Sequence, residues 1–182
     1  LKSKRNGLRN QTIFFLSVLS GMRCKEISYL SYGEILNSDG EIGNNIHLTN
    51  HSSKGKSGGR IIPIHKELKK NLIELHKIHK LKKIFDPNTS NVIVSERSSF
   101  LSSQSLVNFF HKLYSKMGFI GCSSHSGRRT FITETSKKIS LVGGSLRDIQ
   151  YLSGHQSLQT TQRYIEGDSE SRTKVVNLLN YK

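Results

Sequence analysis

At 182 residues the chain is long enough for one domain with a real core, with or without a tail. Its 28 Lys and Arg against 13 Asp and Glu leave a net charge of +15, an excess that implies a polyanionic partner, most simply nucleic acid. The two cysteines, Cys24 and Cys122, form no CxxC pair, which argues against a disulfide framework or zinc site and fits a reducing cytosol; no apolar run approaches a membrane span and no signal peptide is visible.

Residues 1–10, LKSKRNGLRN, are basic and polar and read as a linker or arm. The chain opens on Leu1 and not Met, so it is expected to be a piece of a longer protein. A helix follows, with Phe15, Leu16, Leu19 and Met22 on one face. Gly21 is a break before a second short helix carrying Arg23, Glu26, Ile27 and Leu30. From Tyr32 to Ile64 the texture changes to Gly, Asn and Ser with short β-prone runs, NNIHLT and RIIPI, around a turn-like SKGKSGG. This predicts a small antiparallel sheet with Lys54 at or near a hairpin tip.

Residues 66–82 predict a helix with a core stripe of Leu68, Leu72, Leu75 and Ile78 and a lysine-rich outer face. Asp86-Pro87-Asn88 breaks the chain, and Val92-Ile93-Val94 reads as one more short strand. Leu106, Phe110, Leu113 and Met117 mark a helix ending near Gly118. Another runs from about Ser124 to about Ser140 and stops at Gly143-Gly144. Ser145 is the expected N-cap of the next helix, with Ile149 and Leu152. A short helix over Ser157–Tyr164 and a final amphipathic one, capped by Asp168 or Ser169, complete the chain. The fold class is α+β, mainly α, with a small antiparallel sheet.

Several polar residues fall in an order that suits phosphodiester chemistry. Arg23 and Glu26 are three apart and share a helix face, so the acid can aim the guanidinium. His125 and Arg128 repeat that spacing. Two planar guanidiniums from different helices can grip the non-bridging oxygens and stabilise a pentavalent transition state. Lys54, in a Gly-flanked turn with Lys56 beside it, can reach a leaving oxygen as a general acid. Tyr164 stands nine residues after His155, and a tyrosine in positive surroundings can act as a nucleophile. Singly, each pattern is common: surface ion pairs, solvated basic turns and half-buried tyrosines account for most instances.

Together, GMRCKEISYL, SSKGKSGGR, HSGRRT and LSGHQSLQTTQRYI resemble the tyrosine recombinase (phage integrase) family. The resemblance covers about Gln11 to Glu166. It implies a helical catalytic domain over residues 11–166, with a lysine hairpin, and a tail helix over 167–182. The catalytic set it implies is Arg23, Lys54, His125, Arg128, His155 and Tyr164, with Glu26 supporting Arg23. Lys56, two residues from Lys54, and Arg129 are implied DNA contacts. The chain departs from the family pattern at Gly127, where Leu is common, and at Ser153 in LSGH.

Family members usually carry a core-binding domain ahead of the catalytic one; either the sequence begins after it or the protein lacks it. The activity implied is site-specific DNA recombination through a 3′-phosphotyrosine, with neither metal nor other cofactor. The partners implied are double-stranded DNA and a homotetramer on two duplexes, monomeric off DNA, with no membrane. The setting is cytoplasmic, at the nucleoid when DNA-bound, in a bacterium or phage host. The stretch Asp168–Tyr181 either docks on a neighbouring protomer or packs on its own domain. The alternatives are type IB topoisomerase-like relaxation, a DNA-binding domain without turnover, and a metal-dependent nuclease, the last disfavoured by the lack of an acidic cluster near these boxes.

Overall fold

The computed structural model describes residues 6–49, 59–96, 98–164 and 176–177. Seven α-helices, two short 3-10 helices (Tyr32–Glu34 and Ile139–Val142) and one two-stranded sheet are formed by the described residues: α1 (Gly7–Val18), α2 (Cys24–Tyr29), β1 (Asn45–Leu48), β2 (Arg60–Pro63), α3 (Lys66–Lys80), α4 (Ser103–Lys116), α5 (Ser126–Lys138), α6 (Leu146–Ser153) and α7 (Leu158–Gln162). The mainly helical α+β class is as expected. Helix α1 starts within the segment read as a linker, and it ends before Leu19 and Met22, which pack from the turn that follows.

Helix α1 packs on α3 and α5, α2 on α4, and α6 on α5, α7 and β2. Ile13 and Leu16 of α1, Ile27 of α2, Leu68 and Leu72 of α3 and Leu106 and Phe110 of α4 meet in one core, all fully buried. Burial of side chains of this size contributes about 1.5–3 kcal/mol each. Tyr32 lies at one end of that core, its ring edge-on to His79 and Phe85 and its hydroxyl 3.0 Å from His79 Nδ1. Burial drives the Tyr32 phenol up and the His79 imidazole down, the latter to about 4.

In the sheet Ile46 pairs with Ile62 and Leu48 with Arg60, antiparallel. Side chains alternate, so Arg60 and Ile62 face inward while Ile61 faces out. The hairpin tip, with Lys54 and Lys56, lies outside the described residues.

Three expectations are corrected. Ile78 is 52% exposed, and His79 takes the last inward place on α3. It follows Leu68 by eleven residues, about three turns, so it lies on the Leu68–Leu72–Leu75 stripe and Ile78 does not. Met117 is exposed because it is the C-cap of α4, past the last full turn, while Tyr114 is buried on the helix itself. Val92-Ile93-Val94 forms no strand: Val92 and Ile93 are fully buried, but among the described residues the only pairing there is an isolated bridge between Ser31 and Asn91. Ser145 heads α6 as expected, its N–H and hydroxyl both donating to Asp148. The expected tail helix falls outside the described residues except for 176–177.

Candidate active site

The site forms where the N-terminus of α2, the first turn of α5, the α6–α7 junction and the inner face of β2 meet. Arg23 is the N-cap of α2 in an extended backbone conformation. Its N–H donates to Glu26 Oε2 at 2.7 Å, and its Nη1 donates to Glu26 Oε1 at 2.9 Å. Its Nη2 donates to the Gly154 carbonyl at 3.1 Å, which ties α2 to the end of α6. The side chain is 30% exposed and so stays accessible to a ligand.

Glu26 is almost wholly buried and serves a second cation. Arg60, equally buried, gives it a bidentate pair at 2.8 and 3.0 Å and donates Nε to the Leu152 carbonyl at 2.9 Å. Burial, the largest single influence, pushes the Glu26 carboxyl up. The Arg60 hydrogen bonds and charge, with those of Arg23, outweigh it and hold the group below the usual carboxylate range.

Arg128, on the inner face of α5, is buried and donates to the carbonyls of Gly21 and Ser153. Burial and the neighbouring Arg23 charge bring its guanidinium down to about 10, so it remains charged at neutral pH. Tyr164 lies within electrostatic reach of Arg128. Among the described residues, three guanidiniums against one carboxylate leave an excess of positive charge in a largely desolvated place, which favours an anion.

Gly154 ends α6 with φ 59°. A Cβ here would lie 2.7 Å from Arg60 Nη1, so a side chain would meet both backbone strain and the guanidinium. His155 follows directly. Its N–H donates to the Gln150 carbonyl, and its own carbonyl accepts from Gln150 Nε2, both at 3.1 Å. Its Nδ1 is 3.0 Å from Thr161 Oγ1, and its ring stacks on Tyr164 with centroids 5.9 Å apart and planes 20° apart. Burial, then the charges of Arg128, Arg23 and Arg60, push the imidazole down to about 4, so it is neutral at neutral pH. The Tyr164 N–H donates to the Thr161 carbonyl at 3.0 Å.

The family profile of the phage integrases matches residues 1–171. The chain belongs to the phage integrase family. It is similar to the tyrosine recombinase XerC of Thermodesulfovibrio yellowstonii, 29% identical over 163 residues, covering 88% of this chain and 50% of that protein. XerC of Chlamydia pneumoniae is 27% identical over 165 residues, covering 90% and 49%. The chain therefore spans about half the length of the curated relatives it matches. Among solved structures, the XerA recombinase has a TM-score of 0.69 at 21% identity, covering 96% of this chain and 58% of that one. The XerH site-specific recombinase bound to difH has a TM-score of 0.71 at 20% identity, covering 97% and 48%. These likenesses establish the shared fold.

Of the residues singled out by the phage integrase boxes, Arg23, Glu26, Arg128, His155 and Tyr164 come together. His125 is the exposed N-cap of α5, and its side chain makes no hydrogen bond among the described residues. Arg129 is exposed on α5, its N–H on the His125 carbonyl. Lys54 and Lys56 lie outside the described residues. Among the described residues, no three His, Cys, Asp or Glu side chains could hold a metal ion, and no helix is long and apolar enough to cross a membrane.

Sequence reading missed Arg60 and Thr161. Arg60 had a signal: in RIIP the inward Ile62 puts Arg60 on the same buried face, and a buried cation needs a partner. Thr161 had none, since nothing local sets it apart from Thr160.

Proposed function

We propose that the chain is the catalytic part of a site-specific DNA recombinase that cuts and rejoins strands through a 3′-phosphotyrosine link. The observation that carries this reading is Tyr164 stacked on a neutral His155 beside the guanidiniums of Arg23 and Arg128. The family membership and the relatives named tyrosine recombinase support it.

Arg23 and Arg128 bind the non-bridging oxygens of the scissile phosphate, with His155 donating a hydrogen bond to the same group. Tyr164 Oη attacks phosphorus in line. The Oη–P bond forms as the bond to the 5′-oxygen breaks, His125 takes the phenol proton, and Lys54 protonates the departing 5′-oxygen. Positive charge fixed in place before the reaction stabilises the pentavalent transition state. One phosphoester replaces another, so the reaction needs no ATP. Attack by the 5′-hydroxyl of a second strand reverses the step on a new partner.

The working assembly is a homotetramer on two duplexes, formed from monomers on DNA in the cytoplasm. Lys56 and Arg129 contact the DNA backbone. The 167–182 stretch either docks on a neighbouring protomer or packs on its own domain.

The test is covalent trapping on a nicked suicide DNA drawn from the source replicon's attachment region, comparing wild type with Tyr164→Phe in EDTA. The expected result is an SDS-resistant protein–DNA adduct that Tyr164→Phe lacks and EDTA does not affect. Measurable binding with no adduct would leave a DNA-binding domain without turnover. Plasmid relaxation without joining of sites would point instead to type IB topoisomerase-like action.

A further inference from the structure

A neutral imidazole carries one proton, and its position decides which ring nitrogen can donate. For His155, burial first and then the positive charges of Arg128 on α5, Arg23 at the start of α2 and Arg60 on β2 keep the ring neutral, with Glu26 the one carboxylate among these groups in the described residues and Tyr164 stacked on the ring. Its Nδ1 meets Thr161 Oγ1 at 3.0 Å.

Thr161 is fully buried, and among the described residues its hydroxyl has no hydrogen-bond partner except His155 Nδ1. Two arrangements are open. If Nδ1–H donates to the hydroxyl oxygen, the hydroxyl proton is left buried with no acceptor. If the hydroxyl donates to a bare Nδ1, both the buried hydroxyl proton and Nδ1 are satisfied, and the ring proton sits on Nε2 of the half-buried imidazole. A buried donor without an acceptor loses its hydration uncompensated, so the second arrangement wins.

The geometry points to Thr161 as the positioning residue that sets the tautomer of His155, placing its proton on Nε2. Resting on the recombinase reading above, this makes Nε2–H the donor to the scissile phosphate. The Thr161 carbonyl also accepts from the Tyr164 N–H, so one residue of α7 fixes both the donor and the chain at the nucleophile.

The test separates the tautomer from the activity. Nitrogen-15 NMR of the histidine-labelled chain, with His155→Gln to assign the signals, reads which ring nitrogen is protonated in the absence of DNA. Expected are Nε2–H in the wild type and in Thr161→Ser, and a substantial Nδ1–H fraction in Thr161→Val. Nδ1–H in the wild type, or an unchanged tautomer in a folded Thr161→Val, would overturn the assignment. Should the Val variant not fold, the wild-type spectrum alone still decides.

Single-turnover cleavage then gives the consequence. Thr161→Val loses about tenfold in cleavage rate, the ordinary effect of one hydrogen bond, with DNA binding unchanged, and Thr161→Ser restores it. Equal losses in both variants would assign Thr161 to packing alone. A wild-type chain that shows the Nε2–H tautomer and no cleavage would contradict the recombinase reading and leave the tautomer standing.

Discussion

Arg60 shows how one side chain can organise a site without itself being exposed to ligand. It neutralises Glu26, supports the Leu152 carbonyl and fills the space that a side chain at Gly154 would need. Through Glu26 it also fixes Arg23, whose backbone and guanidinium both rest on that carboxylate. Arg60→Met removes a buried cation and leaves Glu26 with a single partner. The expected cost is about 3 kcal/mol of stability, read from urea unfolding. Adding Glu26→Gln should cost less than the sum of the two single changes, because the two residues form one network. A loss within about 0.5 kcal/mol, as at an ordinary surface position, would show that Arg60 does not hold the site together.

Between elements, the decisive contact is the crossing of α1 and α5 at Gly127. A Cβ there would come within 2.4 Å of Ser17 Oγ and 2.9 Å of Val18 Cγ1. This accounts for the glycine where the family commonly has leucine: α1 lies too close for a larger residue, and the close approach brings Arg128, the next residue, onto the Gly21 carbonyl. Gly127→Leu is therefore expected to destabilise the domain by about 3 kcal/mol through overpacking, seen as a lower denaturant midpoint. It should also lower covalent-adduct yield by moving Arg128. An unchanged midpoint would mean that α1 gives way at little cost. The same scale explains the misplaced apolar residues. Periodicity identified α3 and α4, but which residue of a stripe is the last one inside depends on where the helix ends and what it packs against. Hence His79 is buried where Ile78 was expected, and Met117 is left outside.

For the whole molecule, the net charge of +15 is expected to dominate encounters with DNA if the chain acts as proposed. Binding by this chain is expected to be weak and strongly salt-dependent, because contacts to the phosphate backbone release counterions. Fluorescence anisotropy on a duplex should show affinity falling by about 10³ or more between about 50 and 200 mM salt. Recombination by the chain alone should be poor, since it spans about half the length of its curated relatives. Nanomolar, salt-resistant binding to one sequence would refute the prediction and show that base contacts dominate.

The mainly helical class, a small antiparallel sheet and most residues of the candidate site were legible along the chain. Helix stripes, turn glycines and boxes such as GMRCKE and LSGH are local, so they can be read without knowing what they touch. The polar groups at Arg23, Glu26, Arg128, His155 and Tyr164 belong to such boxes. Arg60 and Thr161 do not, because their roles come from partners far away in sequence or on another turn of chain: Glu26 for Arg60, and the ring of His155 for Thr161. Only the tertiary structure decided that Glu26 lies between two guanidiniums and that His155 stays neutral. Burial and the charges of neighbouring elements set protonation states, and neither is a property of local sequence.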